Sequence, residues 1–229
     1  MQNLADLKKR LENLPAKRQE KKYKRLYRNF LEKAVGCHDK LKSSSQGINL
    51  TAGVVAASSY SASISSIGSA SKTAARLGGK LLKDSDAIAS SEVEADFTAL
   101  SDKSASAQVG VNNAWESELQ GKIKDWEAIQ DVVVKLMPTQ GKRLKKSIAS
   151  LQSAKRPMPT TKLGVSAVKD SIEELKDSVA NLELDGNFGD FLKAAVSLDG
   201  ADVGMVEDPE VSKVIAKHKL QKVFRVRIS

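Results

Sequence analysis

One cysteine, two histidines, five prolines and an aromatic content of 4% set the first limits on this 229-residue chain. The lone Cys37 excludes an intrachain disulfide framework and reads as a small helix residue. His38 and His218 lie far apart, and with a single cysteine they make no recognisable zinc set. Cys37 and His38 are neighbours on an expected helix and so point about 100° apart, a poor arrangement for a nucleophile and its base. Glycine-rich phosphate loops are also missing, because Gly78-Gly79-Lys80 lacks the preceding strand and the spacing such a loop needs. The carboxylate pairs Glu92/Glu94 and Glu173/Glu174 read as solvated helix faces, and neither histidine has the Glu-x-x-His pattern of a two-metal bundle. No catalytic residue, cofactor or metal ligand is assigned, and the chain is not expected to be an enzyme.

Few aromatics imply a thin core of Leu, Val, Ile and Ala between helices. No stretch reads as a membrane span. Residues 1–14 are amphipathic and charged without an apolar core, so no signal peptide is expected. The expected location is cytoplasmic, with peripheral membrane association left open.

Charge is absent between Lys42 and Lys72, where Ser, Ala and Gly surround a few aliphatic residues. The run is too polar for an ordinary membrane span and too uniform for a loop. Small residues let helix backbones approach closely. Residues 50–68 are therefore expected to be helical and buried against another helix. Leu50, Gly53, Val54, Ala57, Ser61, Ile64 and Gly68 are the expected packing or insertion residues.

What the sequence does have is helical periodicity. The prolines fall where apolar patterns start or stop. Leu4, Leu7, Leu11 and Leu14 suggest a short first helix, residues 16–41 a second and residues 50–82 a third. The stripe Phe97, Leu100, Ser104, Ala107, Val111, Ala114 resumes after a small slip as Leu119, Ile123, Trp126, Ile129, Val133, Leu136. One helix over residues 91–137 would be roughly 70 Å long. Residues 141–154 form a shorter basic helix. Val165, Val168, Ile172, Leu175, Val179 and Leu182 then make an unbroken heptad stripe. Residues 188–198 suggest another short helix, and Asp208-Pro209-Glu210 is a helix start. At the C-terminus Phe224, Val226 and Ile228 alternate with Val223, Arg225 and Arg227, which reads as an assembly strand. Its partner would be residues 201–206 or a strand of another subunit. The expected fold class is mainly α: an elongated antiparallel helical bundle or coiled coil with a short C-terminal β-strand. Residues 1–156 would form the bundle and residues 157–229 a helical region ending in the strand.

Charge is arranged in blocks. The formal net charge of +9 and pI near 9.5 favour acidic partners. The first forty residues are basic, residues 84–131 acidic, residues 142–169 free of acids, residues 170–210 strongly acidic, and the tail free of acids again. Such blocks could pair within a bundle or between subunits. Lys17, Arg18, Lys21, Lys22, Lys24, Arg25 and Arg28, with Tyr23 and Tyr27 interleaved, are the candidate polyanion or membrane-surface contact. They suit a phosphate backbone, an anionic membrane or a solvated helix face.

One segment carries a family likeness. Cys37-His38-Asp39-Lys40-Leu41, Gly47-Ile48-Asn49-Leu50 and Gly53-Val54-Val55-Ala56-Ala57-Ser58-Ser59, with Ile64 and Ile67-Gly68, resemble the apolipoprotein-L family. The resemblance implies an amphipathic helix leading into a small-residue, membrane-inserting hairpin, and a helical protein that binds or permeabilises membranes. This chain departs from the family at residues 69–83, where Lys72, Arg76 and Lys80 replace an apolar second helix.

The first expectation for function is a non-catalytic α-helical assembly or interaction protein that works through helix packing, self-associating or placed in a larger complex. The second is a membrane-active, pore-forming-like helical protein, and the third a basic helical protein that coats nucleic acid. A protein partner or a second copy is expected, with an anionic membrane and nucleic acid left open.

Overall fold

A computed structural model describes residues 4–7, 9, 21–197 and 200–221. They are mainly helical, and no strand occurs among them. The expected assembly strand with Phe224, Val226 and Ile228 lies outside the described residues, as do Lys17 and Arg18. The proposed strand partner, residues 201–206, contributes instead to a short helix, Val203–Glu207, begun by the Asp202 carboxylate accepting from Gly204 N–H. This N-cap offers local hydrogen bonding that a strand would forgo.

Contacts group the chain into two compact units, Met1–Trp115 and Glu116–Ser229. The first unit contains α1 (Lys21–Thr51), α2 (Ser61–Lys83) and the N-terminal part of α3 (Ser91–Glu127). On α1, Phe30, Ala34, Cys37, Leu41, Ser44 and Thr51 are buried along one stripe. Phe30 stacks on Phe97 of α3 with ring centroids 4.5 Å apart, and Ala70, Ala74, Leu77 and Leu81 of α2 fill the same core.

The structure corrects two expected boundaries here. Helix α1 does not stop near residue 41, because its serines are accommodated within the helix. Ser44 Oγ donates to the Lys40 carbonyl at 2.7 Å, and Thr51 Oγ1 to that of Gly47 at 2.7 Å. Nor is 50–68 one helix. Residues 52–56 turn, a 3-10 helix covers Ala57–Tyr60, and α2 begins at Ser61. Gly53, Val54 and Val55 are weak helix formers. The Thr51 carbonyl accepts from the N–H groups of both Val54 and Val55, at 2.8 and 2.9 Å. The turn also buries Val55 and Tyr60, a tertiary gain that outweighs local propensity.

The second unit contains the remainder of α3, α4 (Gln130–Leu136), α5 (Pro138–Ala154), α6 (Lys162–Asn181), α7 (Asn187–Val196), α8 (Val203–Glu207) and α9 (Pro209–Lys217). The single long helix expected over residues 91–137 is interrupted between α3 and α4. Ile123 and Ile129 are six residues apart and would sit about 120° apart on an unbroken helix. The interruption lets both be completely buried. Trp115, not Ala114, carries the stripe across the expected slip; Trp115 is fully buried and Ala114 only half-buried. Met137 ends α4 before Pro138, which opens α5 at its first position. Gly141 permits α5 to approach α4, since a Cβ there would lie 2.6 Å from Val134 Cα.

Helix α6 buries Val165, Val168, Ile172, Leu175 and Val179, with Leu182 just beyond its end. Thr161 caps its start by accepting from Gly164 N–H at 3.1 Å. Asp208 caps α9 by accepting from Glu210 and Val211 N–H groups, as its sequence suggests.

Candidate functional site

The register of α1 decides which of its basic residues meet solvent. Leu26 and Tyr27 pack partly against the core and Phe30 is buried, so the opposite side carries Lys24, Arg25 and Arg28, all exposed. None of these three forms an ion pair among the described residues. Lys21 and Lys22 occupy the first turn of the same helix.

Several cations on the other helices are paired, while others, such as Lys142, Arg143 and Lys146 of α5, are exposed without an ion pair among the described residues. Arg76 and Lys80 of α2 both bind Asp96 of α3, Lys80 at 3.0 Å, and Lys80 also binds Glu92. Lys103 donates to Thr73 Oγ1 at 3.0 Å. The Asp96 side chain is only 9% exposed. Burial alone pushes its carboxyl pKa up, but hydrogen bonds from Lys80 and Arg76 outweigh burial and hold it below the usual carboxylate value. In the second unit Lys145 binds Asp131 at 2.8 Å, Lys155 donates to Gln120 at 2.6 Å, Arg156 binds Glu116 and Lys217 binds Glu183. Glu127 accepts from Gln152 at 2.7 Å and Gln120 at 2.9 Å, and these bonds lower its pKa. These pairs tie helices together, and the α1 cations do not belong to them.

The expected packing set is scattered. Leu50 and Val54 are half-buried, whereas Gly53, Ala57, Ser61, Ile64 and Gly68 are exposed. The buried side of α2 is formed by Ser63, Ala70, Thr73, Ala74, Leu77, Gly78 and Leu81. It approaches α3 closely at Gly110, where an added Cβ would collide with Ser63 Oγ. Close packing of small residues is therefore present, on a different side of the helix. Ser and Ala occupy every side of α2, so no contrast in its sequence marks the buried one.

The Glu173/Glu174 pair, expected to be a solvated helix face, belongs to a longer acidic face on α6. Asp170, Glu173, Glu174 and Asp177 are exposed along one side, and Glu173 pairs locally with Lys176 at 2.9 Å. Leu163, at 82% exposure, sits two turns before Asp170 on that side. Elsewhere in this unit an open hollow of about 280 Å³ is lined by Asn187, Asp190, Gly204, Met205, Asp208 and Val211. Its two carboxylates are engaged, Asp208 in capping α9 and Asp190 with Lys193 at 3.3 Å.

Cys37 is buried and His38 Nδ1 lies 3.2 Å from Asp39 Oδ1. Among the described residues no group of three His, Cys, Asp or Glu side chains is placed to hold a metal ion, and no helix is long and apolar enough to cross a membrane. No family model matches this chain, and neither a curated protein nor a solved structure matches it.

Proposed function

We propose that this protein is a non-catalytic α-helical interaction protein that associates with copies of itself or joins a larger complex through exposed helix faces. One observation carries the reading. Lys24, Arg25 and Arg28 stand exposed on one side of α1 without an ion pair among the described residues, whereas Arg76, Lys80, Lys145, Arg156 and Lys217 are bound to acids of their own chain. Long exposed cations held on a rigid helix favour docking on an acidic surface. Coiled-coil-like packing belongs to the same reading and is supported by the heptad burial along α6. Size-exclusion chromatography with light scattering over a range of protein concentrations tests it. A concentration-dependent rise in mass is expected, and a monomer throughout counts against self-association.

A second reading is adsorption on an anionic membrane surface. It is favoured by α2, where Ile64 and Leu82, 52% and 68% exposed, share one solvent-facing side with Lys72. Flotation with anionic and neutral vesicles tests this reading, and a gel shift with generic DNA and RNA tests nucleic-acid coating. Binding only to anionic vesicles would favour the membrane.

A further inference from the structure

The cations of α1 and the acids of α6 follow the same spacing. Lys21, Lys24, Arg25 and Arg28 occupy helix positions offset by zero, three, four and seven residues. Asp170, Glu173, Glu174 and Asp177 repeat those offsets on α6. At about 100° per residue the four positions fall within about 100° of arc, and each set extends over about 10 Å of helix. The pattern reads the same in either direction, so the sets match in parallel and antiparallel alignment. Lys24, Arg25 and Arg28 are exposed without an ion pair among the described residues; so are Asp170, Glu174 and Asp177. Glu173 has only its exposed local contact with Lys176, a kind of pair that is readily exchanged.

We propose that the occupant of the α1 face is a second copy of this chain, presenting the acidic side of its α6. The inference rests on the self-association reading and names the surfaces. Charge complementarity at matched spacing carries it, as charges on flanking positions select partners in paired helices. The antiparallel alignment adds an apolar contact. With Arg28 opposite Asp170 and Lys21 opposite Asp177, Leu163 falls opposite Val35. Val35 lies two turns beyond Arg28 on the same side of α1 and is only half-buried. Beside it, the exposed Gly36 has open space where a Cβ would stand. Leu163 thus meets an aliphatic side chain with room to settle against it, next to the charged patch. The net charge of +9 opposes any unspecific approach of two copies, so attraction must be local. Each copy offers one face of each kind, so the contact either closes reciprocally in a two-fold dimer or runs head to tail into a ring or an open chain.

Reversal and complementation test this. One variant carries K21E/K24E/R25E/R28E, another D170K/E173K/E174K/D177K, and a third carries all eight changes. Mass is followed by light scattering in about 50 mM and about 500 mM salt, where screening lengths differ several-fold, and circular dichroism verifies helical content. Wild type should associate at low salt and dissociate at high salt. Each four-site variant should associate roughly tenfold more weakly or worse. An equimolar mixture of the two should assemble again, and the eight-site variant should associate alone. If wild type assembles but either reversal leaves assembly unchanged, or the mixture fails to recover it, the assigned surfaces are wrong although self-association stands. A wild type that is monomeric at every salt concentration overturns self-association as well. Should reversal on α1 remove binding to anionic vesicles or nucleic acid without altering assembly, the face belongs to that polyanion instead.

Discussion

The Thr51 hydroxyl lies 2.6 Å from the Tyr60 hydroxyl, and both residues are buried where the chain turns from α1 into α2. This bond joins the last residue of α1 to the last residue of the 3-10 helix, across residues 52–56. Tyr60→Phe removes one hydroxyl and leaves Thr51 bonded to the Gly47 carbonyl. The expected loss is about 1 kcal/mol, typical of a buried neutral hydrogen bond. Urea titration measures it, and an unshifted midpoint would show that the turn is held by apolar burial alone.

Gly141 and Gly121 should respond oppositely to alanine. At Gly141 a Cβ would lie 2.6–2.7 Å from backbone atoms of Val133 and Val134, which cannot rotate away. Overpacking of about 1–3 kcal/mol should exceed the helix-propensity gain of up to about 1 kcal/mol. Gly121 lies within α3 with nothing inside 4 Å of an added Cβ. Gly121→Ala should therefore stabilise the fold by about 0.5–1 kcal/mol. Thermal melts of the two variants should move in opposite directions; equal shifts would refute the packing assigned to Gly141.

Acid should weaken the contact between α2 and α3. The folded-state pKa of Asp96 lies below its ordinary 3.8 despite burial, because Lys80 and Arg76 favour its charged form. The stability it contributes is complete above 3.8 and is lost as pH falls through the lower folded value. Asp96→Asn should lose about 1–3 kcal/mol near neutrality and flatten the pH dependence below about pH 4. Denaturant titrations at about pH 7 and about pH 3 make the comparison, and an identical pH slope in the variant would exclude Asp96 as a source.

Removing a cap should loosen α9. Asp208 accepts from Val211 and Glu210 N–H groups and from Asn187, and these bonds, led by that from Val211, lower its pKa. Asp208→Ala should cost about 1 kcal/mol and speed amide exchange in α9 first. Asp208→Ser should recover most of the loss. Unchanged exchange at Glu210 and Val211 would mean that the cap bonds contribute little.

The legible parts of this fold are those with contrast between faces. On α6, Val165, Val168, Ile172, Leu175 and Val179 form a heptad stripe in which the other large aliphatic residue, Leu163, has no place, so their buried side is evident from spacing. Asp208 and Pro209 mark the start of α9 because capping is local chemistry. On α2 contrast fails, since Ser63, Ala70 and Ala74 are buried while Ser61 and Ala75 of the same helix are exposed. The interruption after Glu127 leaves only the six-residue step from Ile123 to Ile129 as its trace. For the candidate surface, the abundance of cations near the start of the chain is plain. That Arg76 and Lys80 are neutralised by Asp96 while Lys24, Arg25 and Arg28 meet no acid among the described residues depends on which helices become neighbours.

The small residues between α2 and α3 bear on how stability changes with temperature. Ala70, Ala74, Ala107, Ser63, Ser104 and Gly110 bring these helices close while hiding few methylene groups. Heat capacity rises on unfolding mainly through newly wetted apolar surface, by about 12–15 cal/mol/K per residue in ordinary domains. The first unit should fall at or below the low end of that range. Its stability curve is then shallow, and cooling below ambient temperature changes its free energy of unfolding less than it would if larger aliphatic side chains filled the contact between α2 and α3.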